Sequence, residues 1–150
     1  MSAEGHKFFP GDEASPQQVF ELADEYCRAA KQLRESASPK RPLSCAPFRL
    51  AAIHAVELYF NAFLRMRGVS SSTLRGMKHD LTSRRVEADG KGLKLKKKTA
   101  EHLDMMSKTR EYLVMRYGPE LTVAVPPLNR TEATLTEVAH KVSEHFKTKA

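Results

Sequence analysis

Tryptophan is missing from these 150 residues, and cysteine occurs only twice. Two cysteines cannot staple a small secreted scaffold, and Cys27 and Cys45 form no CxxC pair, so neither a disulfide framework nor a thiolate metal site is indicated. Both sit in or beside apolar helical patterns and read as reduced, half-buried thiols. With 7 glycines and 8 prolines the chain is too poor in both for a collagen-like or low-complexity protein. No apolar run approaches the roughly 20 residues of a membrane-spanning helix. The opening MSAEGHKFFPGDEASP lacks the apolar core between basic flanks that marks a secretory leader. The expectation is a cytoplasmic protein without membrane contact.

What is present is the make-up of one folded domain: hydrophobic residues are 41% of the chain and charged residues 29%, so burial can offset chain entropy. The net charge of +7 raises the prospect of an anionic partner such as RNA or a nucleotide. It also serves solubility, so it identifies no partner by itself.

Residues 1–14, with Gly5, Pro10 and Gly11, read as a lead-in whose Phe8 and Phe9 pack onto the body. Ser15-Pro16-Gln17-Gln18 then opens a helix: the serine caps free N–H groups and the proline fits the first turn. Val19, Phe20, Ala23, Tyr26, Cys27, Ala30 and Leu33 recur at three- and four-residue steps along one stripe, which ends near Ser36 before Ser38-Pro39-Lys40-Arg41-Pro42. A second helix runs from about Pro47 to Arg67, where Gly68 stops it. Its apolar residues spread so far around the axis that little can face water, which predicts the central helix. A short piece follows Ser70–Thr73, a third helix spans His79–Ala88, and a basic loop follows at Gly90–Lys98. A fourth helix, capped by Thr99, is expected to run unbroken to Tyr117, and a fifth starts at Asn129 or Thr131. The predicted fold is all-α, an up-and-down bundle of four to five helices over residues 15–148.

Cofactor and metal signatures are lacking. His140 and His145 are five apart and diverge on a helix, Gly90-Lys91-Gly92 is too short for a phosphate loop, and no Gly-x-Ser-x-Gly elbow occurs. The expected metal and cofactor complement is none.

The run Ala52-Ile53-His54-Ala55-Val56-Glu57-Leu58-Tyr59-Phe60-Asn61-Ala62-Phe63-Leu64, followed by Gly68 and then His79-Asp80-Leu81, resembles the HEPN domain family. Arg116-Tyr117-Gly118-Pro119 resembles the Arg-Tyr-Pro-like ending found after a long helix in such proteins. The resemblance covers residues 15–147 as an order of helices. It implies a four- or five-helix bundle, often a homodimer, of the kind found in toxin–antitoxin and defence systems. Members act on RNA as metal-independent ribonucleases, or bind nucleotides or small nucleotidyltransferase-type partners. The ribonuclease members carry an Arg followed after four to six residues by His, which works as acid or base while the Arg steadies the phosphate. Arg49 and His54 match that spacing and are the candidate catalytic pair. Leu50, however, stands where the family prefers a polar residue, and the match lies earlier in the bundle than in active members. The leading expectation is therefore a non-catalytic binding module for a nucleotide, RNA or protein; the alternative is a ribonuclease.

Further candidate binding residues carry two readings each. His54, Glu57 and Asn61 share one helix face. They are either structural, with Arg110 as the partner of Glu57, or the wall of a base or phosphate pocket. His79 and Asp80 either open a helix or join that pocket. Lys96, Lys97 and Lys98, the end of the basic loop, are a phosphate-neutralising patch or a solvated run. Lys91 and Lys94 belong to the same basic region, and Arg84 and Arg85 lie near it in sequence. Arg110, Arg116 and Tyr117, crowded with Tyr112 at the end of the fourth helix, form a nucleotide-pocket edge or a set of snorkelling side chains.

Overall fold

A Ser15–Gln18 capping box opens α1 (Pro16–Ser36): the serine hydroxyl accepts from the Gln18 N–H, and the Gln18 side chain accepts from the Ser15 N–H. The computed structural model describes residues 9–149, with side chains through Lys147. Phe8 therefore lies outside the described residues, whereas the Phe9 ring sits 4.2 Å from the Arg75 guanidinium carbon. Helix α1 buries Ala23, Cys27 and Ala30, small side chains that let it approach α2 (Ala46–Met66) closely. Tyr26, expected on that buried stripe, lies instead toward solvent at its edge.

Helix α2 is the centre of the molecule. It buries Phe48, Ala52, Ile53, Ala55, Val56, Tyr59, Phe60, Ala62, Phe63 and Leu64, and packs against α1, α4, α6 and α7. Each large apolar side chain so removed from water contributes about 1.5–3 kcal/mol. Gly68, at φ 94°, ends it in the left-handed conformation that favours glycine, and Val69 N–H donates back to the Leu64 carbonyl. Two single contacts tie α2 to α1: Tyr59 donates its hydroxyl proton to Asp24, and Phe20 packs between Tyr59 and Phe146.

Beyond Gly68 come α3 (Ser71–Gly76), capped by Ser70, and α4 (Leu81–Gly90), capped by Asp80. Leu93 and Leu95 are tucked inward rather than paired in a strand; Leu93 N–H donates to the Ala88 carbonyl. Then follow α5 (Lys97–Lys108), α6 (Glu111–Tyr117) and α7 (Leu128–Lys149), the last lying across α2 and touching α1 and α5. Among the described residues the fold is all-α; the only extended pairing is an isolated Ser38–Arg41 bridge. Both cysteines are free and buried. No helix is long and apolar enough to cross a membrane.

Three helix expectations are corrected. The fourth helix is not continuous to Tyr117: Arg110 takes φ 53°, ψ 48°, a left-handed residue that breaks the ladder between α5 and α6. A side chain in that conformation costs roughly 1–2 kcal/mol. The break lets Glu111 point into the core, where a continuous helix would not aim it. Thr99 is not a cap: α5 starts two residues earlier, and the Thr99 hydroxyl is buried and donates to Glu137. Neither Asn129 nor Thr131 is a cap: both lie inside α7. Helix α7 starts at Leu128, and Thr131 is an interior side chain that accepts from Arg49 Nη1 at 3.1 Å.

Candidate functional site

Three depressions meet at His79. The first, a cleft of about 450 Å³, is lined chiefly by Tyr26, His54, Glu57, His79, Tyr112 and Arg116. The second, about 520 Å³, lies under Lys78, His79, Asp80, Asp104, Arg110 and Tyr112. The third, about 770 Å³, includes His54, Glu57, Asn61, His79 and Arg84 and reaches the lead-in at Pro10–Gly11. Helix α2 places His54 and Glu57 in the cleft, the α3–α4 turn supplies His79, and α6 supplies Tyr112 and Arg116.

Local geometry fixes His79 from two sides. Its Nδ1 lies 3.1 Å from Glu57 Oε1, with the ring N–H donating. Its ring is 4.5 Å from that of Tyr112, tilted by 39°. On the far wall the Tyr26 and His54 rings meet edge to face at 4.5 Å. Burial pushes the His54 imidazole below its ordinary pKa; Glu57 opposes this, and His79 adds to it.

Behind Glu57 stands Arg84, only 2% exposed. Its Nε donates to Asn61 Oδ1 at 2.8 Å, Nη2 to the Leu74 carbonyl at 3.2 Å and Nη1 to the Asp80 carbonyl at 3.3 Å, while Nη2 lies 3.7 Å from Glu57 Oε2. The partner of Glu57 is thus Arg84 with His79, not Arg110, which is exposed at the α5–α6 break. Asp80 does cap α4, accepting from the Thr82 and Ser83 N–H groups at 2.9 and 3.2 Å. The Ser83 hydroxyl above all, then the Ser83 N–H, the Ser107 hydroxyl and the Thr82 N–H, hold its carboxyl below the usual range against the opposing effect of burial.

The structure does not bring Arg49 and His54 together. Five residues apart on one helix, they point about 140° from each other. Arg49 is buried and donates to Thr131 Oγ1 and, at 2.7 Å, to the Pro126 carbonyl; its Nη1 lies 3.9 Å from Glu111 Oε2. That separation is too long for a hydrogen bond, and neither carboxyl oxygen of Glu111 has another partner. Burial raises the Glu111 pKa, with Arg49 opposing.

The remaining candidates scatter. Lys96, Lys97 and Lys98 are exposed at the start of α5, about 16 Å along the helix from its other end at the depressions. The basic patch is smaller than the sequence suggests, because Arg84 is buried, Arg85 pairs with Asp104 at 3.0 Å, and Lys91 and Lys94 pair with Glu87 and Asp89. Arg110, at the helix break, borders the second depression, and Tyr117 lines none of the three. Arg116 lines the cleft and donates to the Tyr117 hydroxyl at 2.9 Å, but Tyr117 itself is 69% exposed outside it.

Two features escape the sequence reading. One is the burial of Arg84, read there as part of the basic patch: it lies with Leu81 and Ala88 on the buried stripe of α4, a spacing visible in the sequence. The other is a buried polar seam between α5 and α7. There His102 Nδ1 lies 2.7 Å from Thr134 Oγ1, and Arg130 donates to Thr99 Oγ1 at 3.2 Å. No protein-family model, curated protein or solved structure matches the chain.

Proposed function

We propose that this chain is a non-catalytic, HEPN-like binding module, an up-and-down bundle working as a homodimer, whose cleft receives the base of a nucleotide or of unpaired RNA. The observation that carries the reading is the His79 cluster: a ring held by Glu57 against Tyr112, opposite the Tyr26–His54 wall. Aromatic faces on both sides suit a flat heterocycle. The Glu57 carboxylate, already oriented by Arg84, accepts from amino or imino N–H groups on such a ring. Arg116 supplies a cation at the rim for a phosphate.

The resemblance of the α2 run and of His79-Asp80-Leu81 to the HEPN pattern supports the fold-level part, as does the role of Asp80 as a cap. The homodimer, the nucleotidyltransferase-type partner and the toxin–antitoxin or defence setting rest on that resemblance. Binding is favoured over ribonuclease chemistry because Arg49 is engaged away from His54, so the two share no position at which one phosphate meets both.

Fluorescence anisotropy with labelled single-stranded RNA, and calorimetry with free nucleotides, each at two salt concentrations, test the proposal. His79→Ala is expected to weaken binding about tenfold, the loss of one base–aromatic contact of roughly 1–3 kcal/mol. Its melting temperature should stay near that of the wild type, because His79 lies at an exposed turn. Negligible binding by the wild type to every probe, or unchanged affinity in His79→Ala, overturns the reading.

A further inference from the structure

Helices α3 and α5 both end by turning into the left-handed region, where glycine is the favoured residue. Neither uses glycine. Lys78, at φ 52°, and Arg110, at φ 53°, are the two non-glycine residues with positive φ among those described. That conformation is disfavoured for any residue with a Cβ. Strain of this kind is kept where a site uses it. Both residues border the same depression of about 520 Å³, and Lys108 joins them there.

The charges in this depression are unevenly engaged. Asp80 is saturated by Thr82 N–H, Ser83 N–H, the Ser83 hydroxyl at 2.7 Å and the Ser107 hydroxyl at 3.0 Å. Asp104 accepts from the Thr82 hydroxyl at 3.0 Å and from Arg85 at 3.0 and 3.1 Å. The acids are thereby tied to their own neighbours. Lys78, Lys108 and Arg110 have no acceptor for their side-chain N–H groups among the described residues. Three free cations thus ring a depression whose acids are occupied, and His79 and Tyr112 form the wall it shares with the cleft.

We infer that the depression beneath Lys78, Lys108 and Arg110 is a phosphoryl-anion site. The cations take the phosphate oxygens as charge-assisted acceptors, and Arg110 can do so with two N–H groups at once. The inference rests on the proposed function only for the ligand that carries the phosphate, a nucleotide whose ring passes over His79 and Tyr112 into the cleft.

Glycine substitution separates this site from mere structure. Lys78→Gly and Arg110→Gly each remove a cation and also relieve the backbone. The double variant is expected to melt at or above the wild-type temperature while binding inorganic pyrophosphate at least tenfold more weakly, by calorimetry at low salt. Lys108→Ala, at an ordinary helix end, should weaken pyrophosphate by a smaller factor. A nucleoside without phosphate reports the cleft alone and should bind the double variant as it binds the wild type. Its failure to bind either protein counts against the cleft reading and leaves the pyrophosphate result to judge the anion site. A nucleoside 5′-monophosphate and a 3′,5′-linked dinucleoside monophosphate then distinguish a terminal from a backbone phosphate: the site's source is whichever loses affinity in the double variant. Absence of pyrophosphate binding by the wild type, unchanged pyrophosphate affinity in the double variant, or a lowered melting temperature there overturns the inference.

Discussion

Arg84→Ala lowers the unfolding free energy by about 3–5 kcal/mol, the cost of removing one partner from a buried, hydrogen-bonded ion pair. The guanidinium bonds Asn61, the Leu74 carbonyl and the Asp80 carbonyl and lies 3.7 Å from Glu57, at 2% exposure. Alanine leaves the Asn61 amide oxygen without a donor, strips the guanidinium from two carbonyls that keep only a backbone N–H each, and leaves a carboxylate without its arginine. Those acceptors belong to α2, to α3 and to the turn before α4, so one side chain joins three segments. Arg84→Lys recovers little, because an ammonium on a flexible stem cannot reproduce a planar fork aimed in three directions. Urea denaturation checks this through the midpoint at unchanged slope. A loss below about 1 kcal/mol for Arg84→Ala would show that the acceptors find water. Because Glu57 orients His79, the same variant should also loosen the cleft, and base binding should fall with stability.

Most of the helical framework was legible because it is written in short-range periodicity. The stripe of α1, the near-continuous apolar character of α2, the Gly68 stop and the Asp80 cap each depend on neighbours within a turn or two. The break at Arg110 was not legible for a physical reason. No glycine or proline interrupts Thr99–Tyr117, and the left-handed residue is an arginine, so local propensity argues for a continuous helix. The partner of Glu57 was misassigned for the same reason. On an unbroken helix Arg110 would lie on the apolar stripe with Leu103 and Met106, and only the break turns it outward and sends Glu111 in.

The candidate site divides along the same line. His54, Glu57 and Asn61 were recognisable as polar residues on one face of a buried helix, and a polar group there demands a partner. The identity of the partner depends on which helix crosses at that height, and no local pattern in α2 encodes that. Arg84 and Arg85 read as one basic patch, yet about 100° of helical rotation separates them, one into the core and one to Asp104. The Arg49–His54 spacing has the opposite fault. It satisfies a sequence pattern on one helix, whereas acid–base chemistry on a phosphate needs both groups to reach the same atoms.

His102 makes the fold sensitive to mild acid. Burial, then Arg130 and Arg49, depress its pKa from 6.5 to about 4, because the imidazolium would be a third positive charge in a place shielded from solvent. The unfolded chain takes up this proton near pH 6.5 and the folded chain only near 4. Between those values the unfolded state binds more protons, so stability rises with pH there. The contribution, about 3 kcal/mol, is complete above pH 6.5 and is lost as the pH falls toward 4. His54, also depressed by burial, acts in the same direction. Glu111 acts in the opposite one: its raised pKa gives stability that is full below the ordinary value of 4.5 and is lost as the pH rises through the folded value. Urea midpoints measured from pH 7.5 to 4.5 should therefore fall steadily in the wild type. His102→Asn keeps a polar group near Thr134 but cannot take up a proton, so its profile should flatten. Glu111→Gln removes the opposing contribution and should steepen the fall. A wild-type profile flat from pH 6.5 to 4.5, or one that His102→Asn leaves unchanged, would show that solvent reaches the seam between α5 and α7 and lets the imidazole charge at little cost.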